Sequence, residues 1–156
     1  MYTCIPLLSP FASCAQSFIG SYFQVVEYHT DSDTWTQWPD LVQPRKLLFC
    51  AQLGGELVIA GGEGDPSTTI MDLVTGEQRA GGDLITPRGD YFRMVAVGGK
   101  VLAIGGDDGK DYLTSVEEWD PETDIWTMRE DLEMKTARYS FGAAIVPSDL
   151  ICDTEL

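Results

Sequence analysis

VAVGGKVLAIGGDDGKDYLTSVEEWDPETDIWTMREDL, residues 95–132, places four β-type segments in a row. Val95–Val97 is a short apolar run stopped by Gly98–Gly99, and Lys100–Ile104 alternates until Gly105–Gly106. Thr114–Trp119 runs into Asp120–Pro121–Glu122–Thr123–Asp124, which is turn chemistry, and Ile125–Met128 follows. Short strands punctuated by Gly, Asp and Pro read as one antiparallel meander. Double glycines suit tight turns and close backbone approach, because glycine alone takes positive φ without strain. Trp119 and Trp126 are expected to pack against a neighbouring unit.

The meander recurs. Tyr28 and Trp35 are spaced as Trp119 and Trp126 are and lie 91 positions before them, and Asp40–Leu41 precedes Asp131–Leu132 by the same 91 positions. Between them lie Gly61–Gly62, Asp83–Leu84 and the Pro44–Arg45 and Pro87–Arg88 pairs. These landmarks share a period in the mid-forties, the signature of stacked supersecondary units. The middle unit reads as Leu47–Leu53, Glu56–Ala60, Thr68–Leu73 and Gln78–Ala80. In it Met71 and Gln78 replace the aromatic pair, so it should be the softest unit and Gln78 should fill its place poorly. The first unit is partial: a degenerate strand within Met1–Ser13, then Ser17–Gly20, Gln24–His29 and Thr34–Trp38. Tyr139–Val146 reads as the first strand of a fourth unit. A four-stranded unit at this period reads as a propeller blade.

Composition narrows the function classes. Ten Lys and Arg against 25 Asp and Glu give a formal net charge of −15, which weighs against nucleic acid and anionic membrane as partners. No apolar run approaches membrane-spanning length. Cys4, Cys14, Cys50 and Cys152 are scattered without C-x-x-C spacing and His29 is the single histidine, so a zinc site is not expected. Such cysteine usage fits a reducing compartment, and a cytoplasmic location is the expectation. The apolar N-terminus has no basic residue before Arg45 and is interrupted by Pro6 and Pro10, unlike a signal peptide.

With these motifs in register, the chain resembles the kelch-repeat β-propellers, most closely the propeller domain of kelch-like (BTB–kelch) substrate adaptors. The family repeat carries a double glycine after the second strand, then a Tyr and a Trp. Gly105, Gly106, Trp119 and Trp126 match it with Trp119 in place of Tyr; Gly61 and Gly62 match while Met71 and Gln78 depart; Tyr28 and Trp35 match while Ile19–Gly20 keeps one glycine. The resemblance implies an all-β kelch-type propeller fragment: two complete four-stranded antiparallel blades flanked by two partial ones. It divides the chain into an irregular segment 1–16, a propeller fragment 17–146 and a tail 147–156. It also implies a terminal blade sealed by strands from both chain ends.

Enzyme motifs are missing: there is no G-x-S-x-G, P-loop or H-E-x-x-H. The copper oxidases that share the kelch architecture need two histidines. Residues 107–118 fail as an EF-hand loop at Gly109 and Tyr112. No cofactor, metal or catalytic residue is assigned. Arg45, Arg88 and Arg138 each precede a first strand, which would set them on one rim, where a guanidinium fork can grip a carboxylate; a structural pairing with a loop acid is the equal alternative. Asp65, Asp108 and Tyr112 lie in the loops after the double glycines, where binding residues gather on rigid scaffolds. These six residues are the partner-binding candidates.

The resemblance therefore implies a protein-recognition module binding a protein partner or ubiquitination substrate. Actin binding and a sugar-active enzyme of the sialic-acid epimerase type are the alternatives. Unsatisfied blade faces at both ends imply self-association, or blades supplied by a longer parent chain.

Overall fold

The computed structural model describes residues 11–14 (backbone alone), 24–29, 31–89 and 91–145. Residues 1–10, Ser17–Gly20, Val146 and the tail 147–156, all assigned from sequence above, lie outside the described residues. The described residues are all-β apart from one 3-10 turn, Glu130–Leu132. They form three antiparallel sheets stacked as in a β-propeller fragment.

The first sheet holds β1 (Phe11–Cys14), β2 (Val25–His29) and β3 (Thr34–Gln37) in that order. The second holds β4 (Phe49–Leu53), β5 (Glu56–Ala60), β6 (Thr68–Asp72) and β7 (Gln78–Gly81). The third holds β8 (Arg93–Val97), β9 (Lys100–Ile104), β10 (Val116–Asp120) and β11 (Ile125–Met128). Both four-stranded sheets are meanders in sequence order, and β4 lies beside β8 at their shared inner side. Register repeats as well: Tyr28 pairs with Trp35, Met71 with Gln78 and Trp119 with Trp126. The turn from third to fourth strand uses a left-handed residue each time, Asp33, Gly76 and Asp124. Asp takes that conformation more readily than most residues.

Two strand assignments are corrected. The strand paired with β2 is Phe11–Cys14, so this segment takes the second-strand position expected of Ser17–Gly20. No strand forms over 139–145, because among the described residues no second strand lies beside that segment to complete a ladder.

The core lies between the blades. Val25, Leu41, Leu48, Leu57, Ile59 and Met71 bury one seam between the first and second sheets. Between the second and third, Val58, Ala60, Ile70, Phe92, Val101, Ala103, Trp119 and Trp126 bury the other. Trp126 is 3 % exposed and its indole N–H donates to Thr68 Oγ1 of the preceding blade at 3.1 Å. Gln78 reaches back in the same sense. Its amide donates to the Asp40 carbonyl and its Oε1 accepts the Val42 N–H, at 2.9 and 3.1 Å. The expectation that Gln78 fills the tryptophan position poorly is therefore corrected: it replaces apolar packing with two hydrogen bonds to backbone. Trp35, which matches Trp126 in the sequence repeat, is instead 54 % exposed and meets Tyr28 at a tilt, ring centroids 4.9 Å apart. Among the described residues no blade precedes its own.

Candidate functional site

The second and third blades are each entered through a lead-in headed by an arginine, Arg45 and Arg88, a third such lead-in follows at Arg138, and the double glycines receive the last two. The Gly62 N–H donates to the Arg88 carbonyl at 3.2 Å, and the Gly106 N–H to the Arg138 carbonyl at 2.9 Å. A Cβ on Gly61 would lie 2.9 Å from the Arg88 oxygen, and one on Gly105 2.7 Å from the Arg138 oxygen. All four glycines have positive φ. The motif is thus a junction at which one blade's second strand seats the entry of the next.

The lead-in side chains do something else. Arg88 is fully buried with Glu117, its fork on Glu117 Oε1 at 2.9 Å and on the Gly105 and Ser115 carbonyls. Glu117 also accepts the Ile85 and Thr86 N–H groups. Burial lowers the Arg88 pKa, and the adjacent Glu117 carboxylate opposes that shift. Arg45 repeats the bracket one blade earlier, on the Ser67 carbonyl and Thr69 Oγ1. Its Nε approaches Asp65 only at ion-pair distance, 3.9 Å, and makes no hydrogen bond. Arg45 and Arg88, expected on a partner-facing rim, are corrected to buried brackets that tie each lead-in to its own third strand. Arg138 is exposed.

The loop acids serve the loops. Asp65 accepts the Ser67 N–H and hydroxyl, Asp107 the Gly109 N–H, and Asp108 the Lys110 and Asp111 N–H groups. These are Asx-type turns. Partial burial disfavours the charged form of Asp65, yet the Ser67 hydrogen bonds and the Arg45 charge hold it below the usual range. Asp108 is held low by the Asp111 and Lys110 amides.

What gathers on this side of the sheets is aromatic. Tyr112, 56 % exposed, stacks on Tyr139 with ring centroids 4.2 Å apart, and Tyr91 meets Tyr139 edge-on at 6.4 Å. The Tyr139 hydroxyl and the nearby Asp107 charge raise the Tyr112 pKa, so the Tyr112 phenol stays neutral at physiological pH. Asp107 bridges to Tyr112 through backbone, and the Gly89 N–H donates to the Asp107 carbonyl at 2.7 Å, closing lead-in and loop into one surface. The structure therefore brings Tyr112 and the Arg138 lead-in together beside the Asp107–Asp111 loop, while the side chains of Arg45 and Arg88 are buried. Sequence reading passed over Tyr91, Tyr139 and Glu117. The two tyrosines had a signal, since each follows a lead-in arginine within three residues. Glu117 had none, standing in a run that reads as strand.

Among the described residues no cluster of His, Cys, Asp and Glu could hold a metal ion, and no helix is long and apolar enough to cross a membrane. A family described as Kelch motif matches residues 88–132. The chain is 32 % identical over 113 residues to the F-box protein AFR of Arabidopsis thaliana, a match covering 69 % of this chain and 29 % of that protein. It therefore spans less than a third of the length of this curated relative. A solved fungal alcohol oxidase in complex with copper is similar in structure, with TM-score 0.51 and 19 % identity over 69 % of this chain and 24 % of the oxidase, a likeness of fold alone. The repeated blades, the seated lead-ins and these matches together support the kelch-repeat family, with residues 88–132 as its Kelch motif.

Proposed function

We propose that the chain is a protein-recognition module that binds its partner through the face formed by Tyr91, Tyr112, Tyr139 and the Asp107–Asp111 loop. The observation that carries this reading is the tyrosine cluster gathered by the lead-ins and the loop between β9 and β10, with Tyr112 and Tyr139 exposed. Tyrosine offers large contact area at low entropic cost and is enriched at binding hot spots. The similarity to an F-box protein supports a role at the substrate-binding end of a ubiquitin ligase; a cytoplasmic location goes with this reading from the scattered cysteines alone. The single buried carboxylate among the described residues, Glu117, is spent on Arg88 and two backbone amides, which disfavours acid–base chemistry there.

Crosslinking capture with the immobilised chain tests the reading. A genuine partner is retained by Val74→Ala, which changes an exposed residue of the β6–β7 turn, and is lost with Tyr112→Ala and Tyr139→Ala. A captured set that is the same for all variants would refute it.

A further inference from the structure

We propose that the partner presents a cation to this face: the Tyr112–Tyr139 stack and the Asp107–Asp111 loop receive an arginine- or lysine-bearing segment of another protein, arginine by preference. This rests on the recognition reading above and adds the chemistry of the partner. The rings come first. Tyr112 and Tyr139 lie nearly parallel, 9° apart with centroids at 4.2 Å, and are 56 % and 49 % exposed. Each ring spends one face on the other, and Tyr91 meets Tyr139 edge-on, which leaves Tyr112 the more open ring. An aromatic face carries negative potential, and its electrostatic complement is a cation above the ring. A guanidinium adds planar stacking, which an ammonium lacks.

The chain makes the same contact with its own residues close by. The Arg93 guanidinium lies 4.5 Å from the centre of the Phe49 ring and 5.9 Å from that of Phe141. Phe141 stands two residues past Tyr139 on one lead-in. Of the two aromatic side chains on that lead-in, one meets a guanidinium of the chain and the other is stacked at the surface.

The loop supplies the counter-charge. Asp111 directly precedes Tyr112, is exposed, and its carboxylate has no hydrogen bond or ion pair among the described residues. Asp107 spends Oδ1 on the Gly109 N–H, and Asp108 spends Oδ1 on the Lys110 and Asp111 N–H groups, at 2.9, 2.9 and 2.8 Å. Their Oδ2 atoms take no hydrogen bond among the described residues. Asp107, Asp108 and Asp111 stand with two cations, Lys110 and Arg138, so this face keeps one net negative charge, within a chain of formal charge −15. A basic segment is steered toward such a surface, whereas an acidic one meets like charge. A guanidinium has five donors, enough to fork onto a loop carboxylate while its plane lies on a ring.

Fluorescence anisotropy with the full chain tests this, using labelled Gly–Ser peptides alike except for two central residues: arginines, lysines, citrullines or glutamates. Citrulline keeps the shape of arginine without its charge. Affinity should fall in the order arginine, lysine, citrulline, with the glutamate peptide weakest. Tyr112→Leu keeps apolar bulk, removes the ring and should weaken the arginine peptide roughly 2–5-fold. Asp111→Asn should weaken it by up to about 5-fold, and Glu122→Gln, which removes an exposed charge from the β10–β11 turn, should not. No binding of the arginine peptide, equal binding of the citrulline peptide, tighter binding of the glutamate peptide through Arg138 and Lys110, or equal losses from Asp111→Asn and Glu122→Gln would each overturn the proposal. Any of these together with partner capture that is still lost in Tyr112→Ala would leave the recognition face standing. Capture indifferent to the tyrosines would sink that reading whatever the peptides do.

Discussion

The three lead-in arginines make a graded stability test, because one sequence feature has three environments. Arg88→Met removes the partner of a carboxylate that has no access to water. Glu117 would keep the Ile85 and Thr86 amides, 2.7 and 3.0 Å away, but lose its counter-charge. Breaking a buried pair from one side costs about 3–5 kcal/mol, a large part of the roughly 5–15 kcal/mol that holds a domain together. Arg45→Met strands no buried charge, since its acceptors are a carbonyl and a hydroxyl and Asp65 is 44 % exposed. Arg45→Met loses charge-assisted hydrogen bonds but leaves only a neutral carbonyl and a hydroxyl unpaired, so it should cost less than Arg88→Met. Arg138→Met alters an exposed side chain and should stay within about 0.5 kcal/mol. Urea unfolding measures all three. Arg45→Met costing as much as Arg88→Met would refute the assignment of the larger loss to the stranded Glu117 charge.

Gly109→Val should cost about 1–3 kcal/mol for its left-handed backbone alone. Gly105→Val should cost clearly more, because the new Cβ also meets the Arg138 oxygen and Met134; equal shifts in Tm would count against the junction. Trp126→Ala should cost about 3–5 kcal/mol as a buried aromatic deletion. Gln78→Trp should destabilise by about 1–3 kcal/mol through two lost hydrogen bonds to backbone, and a gain in Tm would show that apolar area dominates at that seam. Acid should weaken the fold through Asp72, Asp108, Asp120 and Asp131, whose pKa values are lowered by backbone amides, Lys100 or Arg129. A lowered folded pKa gives stability that is present above the unfolded value of about 3.9 and is lost as pH falls through the folded value. Melting at pH 7 and pH 3 checks this, and Asp108→Ala should reduce the difference.

Sequence by itself determined the repeat. Strand lengths, turn positions and the double glycines are local, set by side-chain alternation and by which residues tolerate positive φ, so Glu56–Ala60, Lys100–Ile104 and Ile125–Met128 are readable strand by strand. It also placed Tyr112 and the Asp108 loop on an accessible turn. Direction was not legible. The three arginines are alike in sequence, and only the tertiary fold turned Arg45 and Arg88 inward onto the carbonyls that directly precede the third strands and left Arg138 outside. Trp35 and Trp126 match in motif, yet one is exposed and the other buried, because burial of the fourth strand depends on the preceding blade. Gln78 gained a role from a backbone segment more than 35 positions away. Tyr91, Tyr112 and Tyr139 form a surface only once the seated lead-in carries Tyr139 over the loop of the preceding blade. Contacts made across a blade seam join residues distant in the chain, and no local pattern in the sequence encodes which of them will meet.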